Sequence, residues 1–184
     1  GAKKLREQVL EARRRVLGAE HPDTLSAMHN LAISMSRSSD YEGAKKLKEQ
    51  VLEARRRVQG DEHPNTLDAM NSLAGSMLSS GDYEGAKKLL KQFLETSRRV
   101  LGAEHPKTLR AMNNLASSMY SSGDYEGAKK LREQVLEARR RVLGDEHPDT
   151  LNAMNNLADS LSSLGDFEGA GKLKEQIERL KSRS

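Results

Sequence analysis

The sequence predicts an all-α solenoid built from antiparallel helix pairs, with about nine helices. The stretch Gly-Ala-Glu-His-Pro-Asp-Thr-Leu, which begins at Gly18, recurs three times with small changes at a constant spacing of 42 residues. A fixed period of this length is typical of repeat architectures. Apolar residues recur every three or four positions, as they do on one face of a helix. Glycine ends most of these segments and proline begins others, which is how helix ends and starts are marked.

The first helix is expected over residues 1–17. Its apolar residues are spaced by three or four positions and form one stripe, which consists of Ala2, Leu5, Val9, Ala12 and Val16. Gly18 supplies the positive φ that ends the helix. This helix lacks the partner that precedes every other unit, so its stripe should be partly exposed.

The second helix should run from Pro22 to about Ser38, because proline is favoured at the first helical position. The preceding His21 is expected to help the helix start. The unit then closes with a glycine after the helix end and an aspartate that caps the next helix. Ser39 replaces that glycine in the first copy, which should cost stability locally. The same elements recur at 41–59 and 64–80, 83–101 and 106–122, and 125–143 and 148–164, before a last helix from Phe167.

The expected domain organisation is one repeat array over residues 1–184. It consists of an unpaired first helix and four helix pairs, at 1–17, 22–59, 64–101, 106–143 and 148–184. A pair cannot bury both of its apolar stripes alone, so neighbouring pairs should share a continuous core. In the last helix, Glu178 stands where the repeat has Leu136. That change suggests a capping helix with a polar outer face.

Composition limits the function classes. The chain has no cysteine, which excludes disulfides and thiolate metal sites. Its apolar runs are far too short to span a membrane, and no secretory signal opens it, so a cytoplasmic location and no membrane partner are predicted. The net charge of +4 is a weak argument for a polyanionic partner.

The repeated unit contains Asn-Asn-Leu-Ala, then Gly-Asp-Tyr-Glu-Gly-Ala, then Leu-Glu-Ala-Arg-Arg-Arg-Val-Leu-Gly-Asp-Glu-His-Pro-Asp-Thr-Leu. It resembles the 42-residue tetratricopeptide-like (TPR) repeat of the kinesin-light-chain class over essentially the whole chain. The resemblance implies a right-handed superhelix in which the first helix of each pair lines a concave groove that binds peptide segments. The copies are unusually alike, which indicates recent duplication or consensus design. The family has an aromatic residue at the position four residues after the alanine of Gly-Ala. This chain has Lys48, Leu90, Arg132 and Lys174 at that position.

The resemblance also implies a set of groove residues. In the family, the residue two positions before the leucine of Asn-Leu-Ala faces the ligand. The residues at that position here are His29, Asn71, Asn113 and Asn155. An asparagine amide both donates and accepts hydrogen bonds, so a row of them can hold a peptide backbone. Further candidates differ between copies while the core does not: Ser26, Asp68, Arg110, Asn152, Ile33, Gly75, Ser117 and Asp159. Such variation fits partner-specific recognition, and drift at solvated positions would give the same pattern.

Two other recurring features have structural explanations. The four histidines lie one repeat apart, on the order of 20 Å, and cannot share a metal ion. The arginine runs at 13–15, 55–57, 98–99 and 139–141 could bind phosphates as a row. However, Glu11, Glu53, Glu95 and Glu137 are expected to pair with them, and no aromatic residues interleave for base stacking.

The sequence therefore predicts a non-enzymatic protein–protein interaction scaffold that binds a peptide in its groove. No nucleophile–base pair, phosphate loop or paired-carboxylate site recurs, so no catalytic residue, cofactor or metal is expected. The alternative is a structural or designed array that self-associates end to end through its first helix without a specific ligand. Nucleic acid binding along the arginine edge is a third and weaker alternative.

Overall fold

The computed structural model describes residues 2–182, with side chains from Lys4, and their regular structure is entirely α-helical. The predicted all-α fold class is confirmed, and from the end of α1 to the start of α9 every helix boundary lies within one residue of its predicted position. The described helices are α1 (Ala2–Leu17), α2 (Pro22–Arg37), α3 (Tyr41–Gln59), α4 (Pro64–Ser79), α5 (Tyr83–Leu101), α6 (Pro106–Ser121), α7 (Tyr125–Leu143), α8 (Pro148–Ser163) and α9 (Phe167–Lys181).

The even-numbered helices, called A helices below, all start in the same way. His21 adopts an extended backbone conformation, and its Nδ1 accepts a hydrogen bond from the backbone N–H of Asp23 at 3.2 Å. His63 caps α4 through Asn65 at 3.1 Å, and the histidines before α6 and α8 act likewise. The histidine thus satisfies one of the backbone donors that a helix start leaves without a partner. Its predicted role in starting the helix is confirmed.

The odd-numbered helices are called B helices, and those after α1 follow a tight turn. The carboxylate of Asp40 accepts the backbone N–H of Gly43 at 3.1 Å and caps α3. The residue before that aspartate has positive φ in each copy, at 80° in Gly81 and 64° in Ser39. Ser39 is the one non-glycine residue with positive φ among residues 2–182. The predicted strain in the first copy is therefore located at this residue.

In each B helix after α1, the glycine in the first turn makes room for that cap. A Cβ atom at Gly43 would lie 2.5 Å from Cε of Met35 and 2.6 Å from Oδ1 of Asp40. The capping carboxylate and the end of the preceding A helix therefore occupy the space that any other side chain would need.

The described residues form two compact units that divide between Leu89 and Leu90, within α5. In unit 1, consecutive helices from α1 to α4 pack against one another, and in unit 2 the same holds from α6 to α9. The core residues of an A helix come from its periodic apolar stripe, and in α2 they are Leu25, Met28, Leu31 and Ala32. The B helix α3 contributes Ala44, Val51 and Leu52. The single array over residues 1–184 stays a prediction.

Helix α1 has one covered side and one open side. It packs against α2 and buries Leu10, whereas the side chains of Leu5 and Val9 are 63% and 41% exposed. The residue equivalent to Val9 in α3 is Val51, which is 0% exposed. The partly exposed stripe predicted for this helix is therefore present.

Candidate functional site

The predicted groove residues all lie on A helices, between the buried positions of the apolar stripe. Most of them are half-buried, namely Ser26, His29, Ile33, Asp68, Asn71, Gly75, Asn113 and Ser117. The others are exposed, namely Arg110, Asn152, Asn155 and Asp159. This side of each A helix is polar, whereas the core side is apolar, so the helices are amphipathic as a groove lining requires.

In unit 1, two cations from α3 lie beneath the A-helix face. The side chain of Lys48 is only 7% exposed, and its Nζ donates a hydrogen bond to Oγ of Ser76 on α4 at 2.5 Å. Arg55 is also buried, and its Nη1 donates to the backbone carbonyl of Asn65 at 2.6 Å. Burial lowers the pKa of Lys48, because the charged amine loses hydration.

His29 lies within the field of these two cations. Burial lowers its pKa from the ordinary value of 6.5, and the positive charges of Arg55 and Lys48 lower it further. The carboxylate of Asp68 on α4 acts in the opposite direction. The buried Nδ1 of His29 has no hydrogen-bond partner among residues 4–182. Two predicted groove residues, His29 and Asp68, are thereby brought together around a buried positive centre.

In unit 2, Arg132 on α7 takes the place that Lys48 has in unit 1. It is 6% exposed, and its Nη1 donates to the backbone carbonyl of Asn156 at 2.5 Å and to Oγ of Ser160 at 2.7 Å. Its guanidinium lies over the ring of Tyr120, 4.7 Å from the centroid. Burial lowers its pKa, while Asp159 and Tyr120 oppose that shift.

The amide of Asn113 on α6 contacts the next A helix directly. Its Oδ1 accepts a hydrogen bond from Nδ2 of Asn156 on α8 at 2.9 Å. The hydroxyl groups of Tyr120 and Ser163 lie 2.8 Å apart on the same two helices. The polar faces of α6 and α8 are therefore adjacent at Asn113 and Asn156. The predicted groove residues Asn155 and Asp159 are exposed on α8.

Comparison with known protein families identifies the repeat. The family model of the tetratricopeptide repeat matches residues 2–57, 37–97, 71–131 and 114–182. The chain belongs to the tetratricopeptide repeat family. TPR arrays form a general scaffold for protein interactions and are a non-enzymatic family, and among solved structures the kinesin-light-chain-like proteins are similar to this TPR chain.

A crystal structure of a Podosopora anserina putative kinesin light chain with nearly identical TPR-like repeats has a TM-score of 0.90 and 30% identity, covering 99% of this chain and 86% of that one. BtubC from P. vanneervenii has a TM-score of 0.87 and 24% identity, covering 99% and 72%. MamA from Desulfovibrio magneticus RS-1 has a TM-score of 0.69 and 14% identity, covering 99% and 96%, and shows the fold alone. Curated protein sequences provide no match.

Sequence reasoning missed the buried cations of this TPR chain. The sequence predicted Lys48 and Arg132 only as replacements of the family's aromatic residue. A signal was present, because a long basic side chain stood at a position flanked by core residues in more than one copy. Burial of such a side chain requires a partner. The candidates on the facing helix were Ser76 and Ser160, at equivalent positions of α4 and α8.

The arginine runs are occupied by structural contacts. In the three runs of three arginines, the first arginine donates to a backbone carbonyl near the start of the next A helix, as Arg13 does to Asp23 at 2.8 Å. The predicted pairing of the runs with Glu53 and Glu137 is wrong for the last arginine of two copies. Arg57 pairs with Glu20, and Arg141 with Glu104, because the loop of the preceding repeat reaches these side chains. Such contacts weaken the case for a phosphate-binding row.

Two further findings concern residues 2–182. No group of three histidine, aspartate or glutamate side chains there lies close enough to hold a metal ion. The Nδ1 atom of each repeated histidine is engaged in capping. Within the same residues, every helix is too short or too polar to cross a membrane.

Proposed function

We propose that this TPR chain is a protein–protein interaction scaffold that binds a peptide segment along the polar faces of its A helices. The observation that carries the proposal is the hydrogen bond between Asn113 and Asn156, which puts amide groups of adjacent A helices on one surface. Amide side chains can bind the N–H and C=O groups of an extended peptide whatever its side chains are. The scaffold role itself belongs to the family.

Specificity would come from the residues that differ between copies. In unit 1, a peptide would meet His29, Asp68 and Asn71 above the buried amine of Lys48. In unit 2, it would meet Asn113, Asn155 and Asp159 beside Tyr120 and Arg132. The buried Leu, Met, Leu and Ala of the A-helix stripe recur in both units, so these differences change the ligand surface without changing the helices that position it.

A library of random peptides displayed on phage tests this function. Peptides selected on the wild-type chain are measured against the triple variant Asn71→Ala, Asn113→Ala and Asn155→Ala. The matched control is Lys46→Ala, Lys88→Ala and Lys130→Ala, which removes exposed side chains of B helices. We expect the asparagine variant to lose binding by at least about tenfold while the lysine variant keeps it. Equal binding by both variants would place the ligand elsewhere, and failure to select any peptide would count against the scaffold role.

A second candidate function rests on the open side of α1. The exposed Leu5 and Val9 form an apolar stripe whose equivalent in α3 is covered. End-to-end self-association would cover it. Light scattering across a concentration series should then show growing mass, and the change Val9→Glu should prevent it. A monomer at all concentrations would reject this candidate.

A further inference from the structure

Two equivalent pockets recur on the molecule, away from the predicted groove residues. In unit 1, a pocket of about 280 Å³ lies between the C-terminal parts of α1 and α3 and is closed by the loop before α2. In unit 2, a pocket of about 190 Å³ lies between the end of α5 and α7, beside the loop before α6. Every lining residue of the first pocket recurs two repeats later in the second with the same residue type. None of them is a predicted groove residue.

One loop residue alternates along the chain and distinguishes these copies from the others. The residue after the helix-ending glycine is Ala19, then Asp61, then Ala103, then Asp145. In the aspartate copies, the carboxylate pairs with the second arginine of the preceding B helix. Nε of Arg56 lies 2.8 Å from Oδ1 of Asp61, and Nε of Arg140 lies 3.0 Å from Oδ1 of Asp145.

In the alanine copies, the equivalent arginines line the pockets instead. Arg98 donates from Nη2 to Oε1 of Gln134 at 3.3 Å and lies 3.6 Å from Sδ of Met112. A thioether and a long hydrogen bond to a neutral amide are weak partners for a guanidinium, compared with a carboxylate. An aspartate copy keeps the same glutamine contact, since Arg140 donates to Oε1 of Gln176 at 3.1 Å, and has the carboxylate of Asp145 in addition. The carboxylate is therefore the partner that the alanine loops do not supply.

The rest of each pocket defines the size and charge of such a ligand. The floor is apolar and buried, formed by Leu25 and Met28 in unit 1. The second arginine of the pocket, Arg57, is already paired with Glu20, and Glu53 adds a further negative charge. Two arginines and two glutamates leave the pocket neutral. One added negative charge reproduces the aspartate copies, whereas a dianion would be repelled by the glutamates.

We propose that these two pockets bind a small monocarboxylate with an apolar body. The carboxylate lies beside Arg14 or Arg98, where Asp61 and Asp145 provide one in the other copies. The apolar body lies over the leucine and methionine of the floor. The site is partly open to water, so a dissociation constant on the order of 1 mM is expected for a ligand of benzoate size.

The methionine methyl groups provide a readout with internal controls. Met28 and Met112 line the two pockets, and Met70 and Met154 occupy the equivalent positions of the aspartate copies. In the full chain labelled with ¹³C at the methionine methyls, titration with 4-fluorobenzoate should shift the signals of Met28 and Met112 in a saturable way. The neutral isostere 4-fluorobenzamide and the dianion phthalate should bind at least about fivefold more weakly.

The decisive variant is A19D together with A103D. It gives the alanine copies a residue that the chain already carries at the same loop position, so folding should be preserved, and circular dichroism checks this. We expect it to abolish the 4-fluorobenzoate shifts, because the new carboxylates occupy Arg14 and Arg98. The proposal is overturned if the variant binds like the wild type, if benzamide binds as well as benzoate, or if all four methionines shift alike.

Discussion

Replacing Ser39 with glycine should stabilise the protein. Ser39 has φ of 64°, a conformation in which its Cβ crowds the backbone, while the equivalent turns of later copies have Gly81, Gly123 and Gly165. The backbone bonds of this turn do not depend on the side chain. The N–H of Asp40 donates to the carbonyl of Met35 at 2.9 Å, and the equivalent bond of Asp82 to Met77 measures 2.8 Å. The substitution therefore relieves strain and removes no backbone contact.

The magnitude follows from two opposing effects. An L-residue in this region costs about 1–2 kcal/mol relative to glycine. Glycine in turn makes the unfolded chain more flexible, which costs about 0.5–1 kcal/mol. The net gain is about 0.5–1 kcal/mol, which raises the melting temperature by roughly 1–4 °C for a chain of this size.

Urea and thermal unfolding followed by circular dichroism at the helical band measure this gain. The reciprocal variant Gly123→Ser is the matched control, because it introduces the same strain in the third copy. It should lose about as much stability as Ser39→Gly gains. The reasoning is refuted if Ser39→Gly lowers the urea midpoint, or if Gly123→Ser leaves it unchanged.

Five further substitutions, at four residues, test other parts of the structure. His63→Ala removes a helix cap and should cost about 1 kcal/mol in urea unfolding, whereas His63→Asn, which keeps an acceptor, should cost less than half of that. The pKa of His29 is lowered on folding, so the unfolded state binds protons first and stability falls as pH drops through its unfolded value of 6.5. His29→Asn should flatten the decline in unfolding free energy between about pH 7 and pH 5, and an unchanged slope would assign the decline to other groups. Gly43→Ala should destabilise by about 1–3 kcal/mol because its Cβ meets Met35 and Asp40, whereas Gly75→Ala, with nothing within 4 Å, should stabilise by up to about 1 kcal/mol. Equal urea midpoints for these two alanine variants would contradict the packing argument.

The helices and their ends could be predicted from sequence because their signals are local. Proline at a helix start, glycine after its end and the aspartate cap each act within four residues, and a 42-residue period repeats the evidence in every copy. The roles of His21 and Ser39 followed from the same local reasoning. To predict these roles it was enough to know the backbone conformation at the helix end, and the residue type largely determines that conformation.

The contacts between helices could not be predicted in the same way. The rule that side chains four residues apart on a helix interact assigned Arg57 to Glu53, but the loop of the preceding repeat presents Glu20 to the same guanidinium. Burial of Lys48 likewise depends on Ser76, which lies on another helix. The alternation of Ala19 and Asp61 was visible in the sequence. Its meaning required the ion pair of Asp61 with Arg56, which joins a loop to the helix before it.

The differing residues at the Lys48 position have a consequence for how near-identical repeats keep their order. Helix pairs with the same apolar core can be exchanged between neighbouring molecules, or shifted by one repeat during folding. At this position the chain has Lys48 in α3, Leu90 in α5 and Arg132 in α7, all buried. A serine stands at the facing position in every copy, so a shifted helix would keep that partner. Arg132, however, would leave the ring of Tyr120, whose equivalent in α4 is Leu78, and so lose its cation–π contact. These side chains therefore distinguish the copies from one another and disfavour exchange between them. A variant with leucine at all three positions should form more domain-swapped dimers in native mass spectrometry.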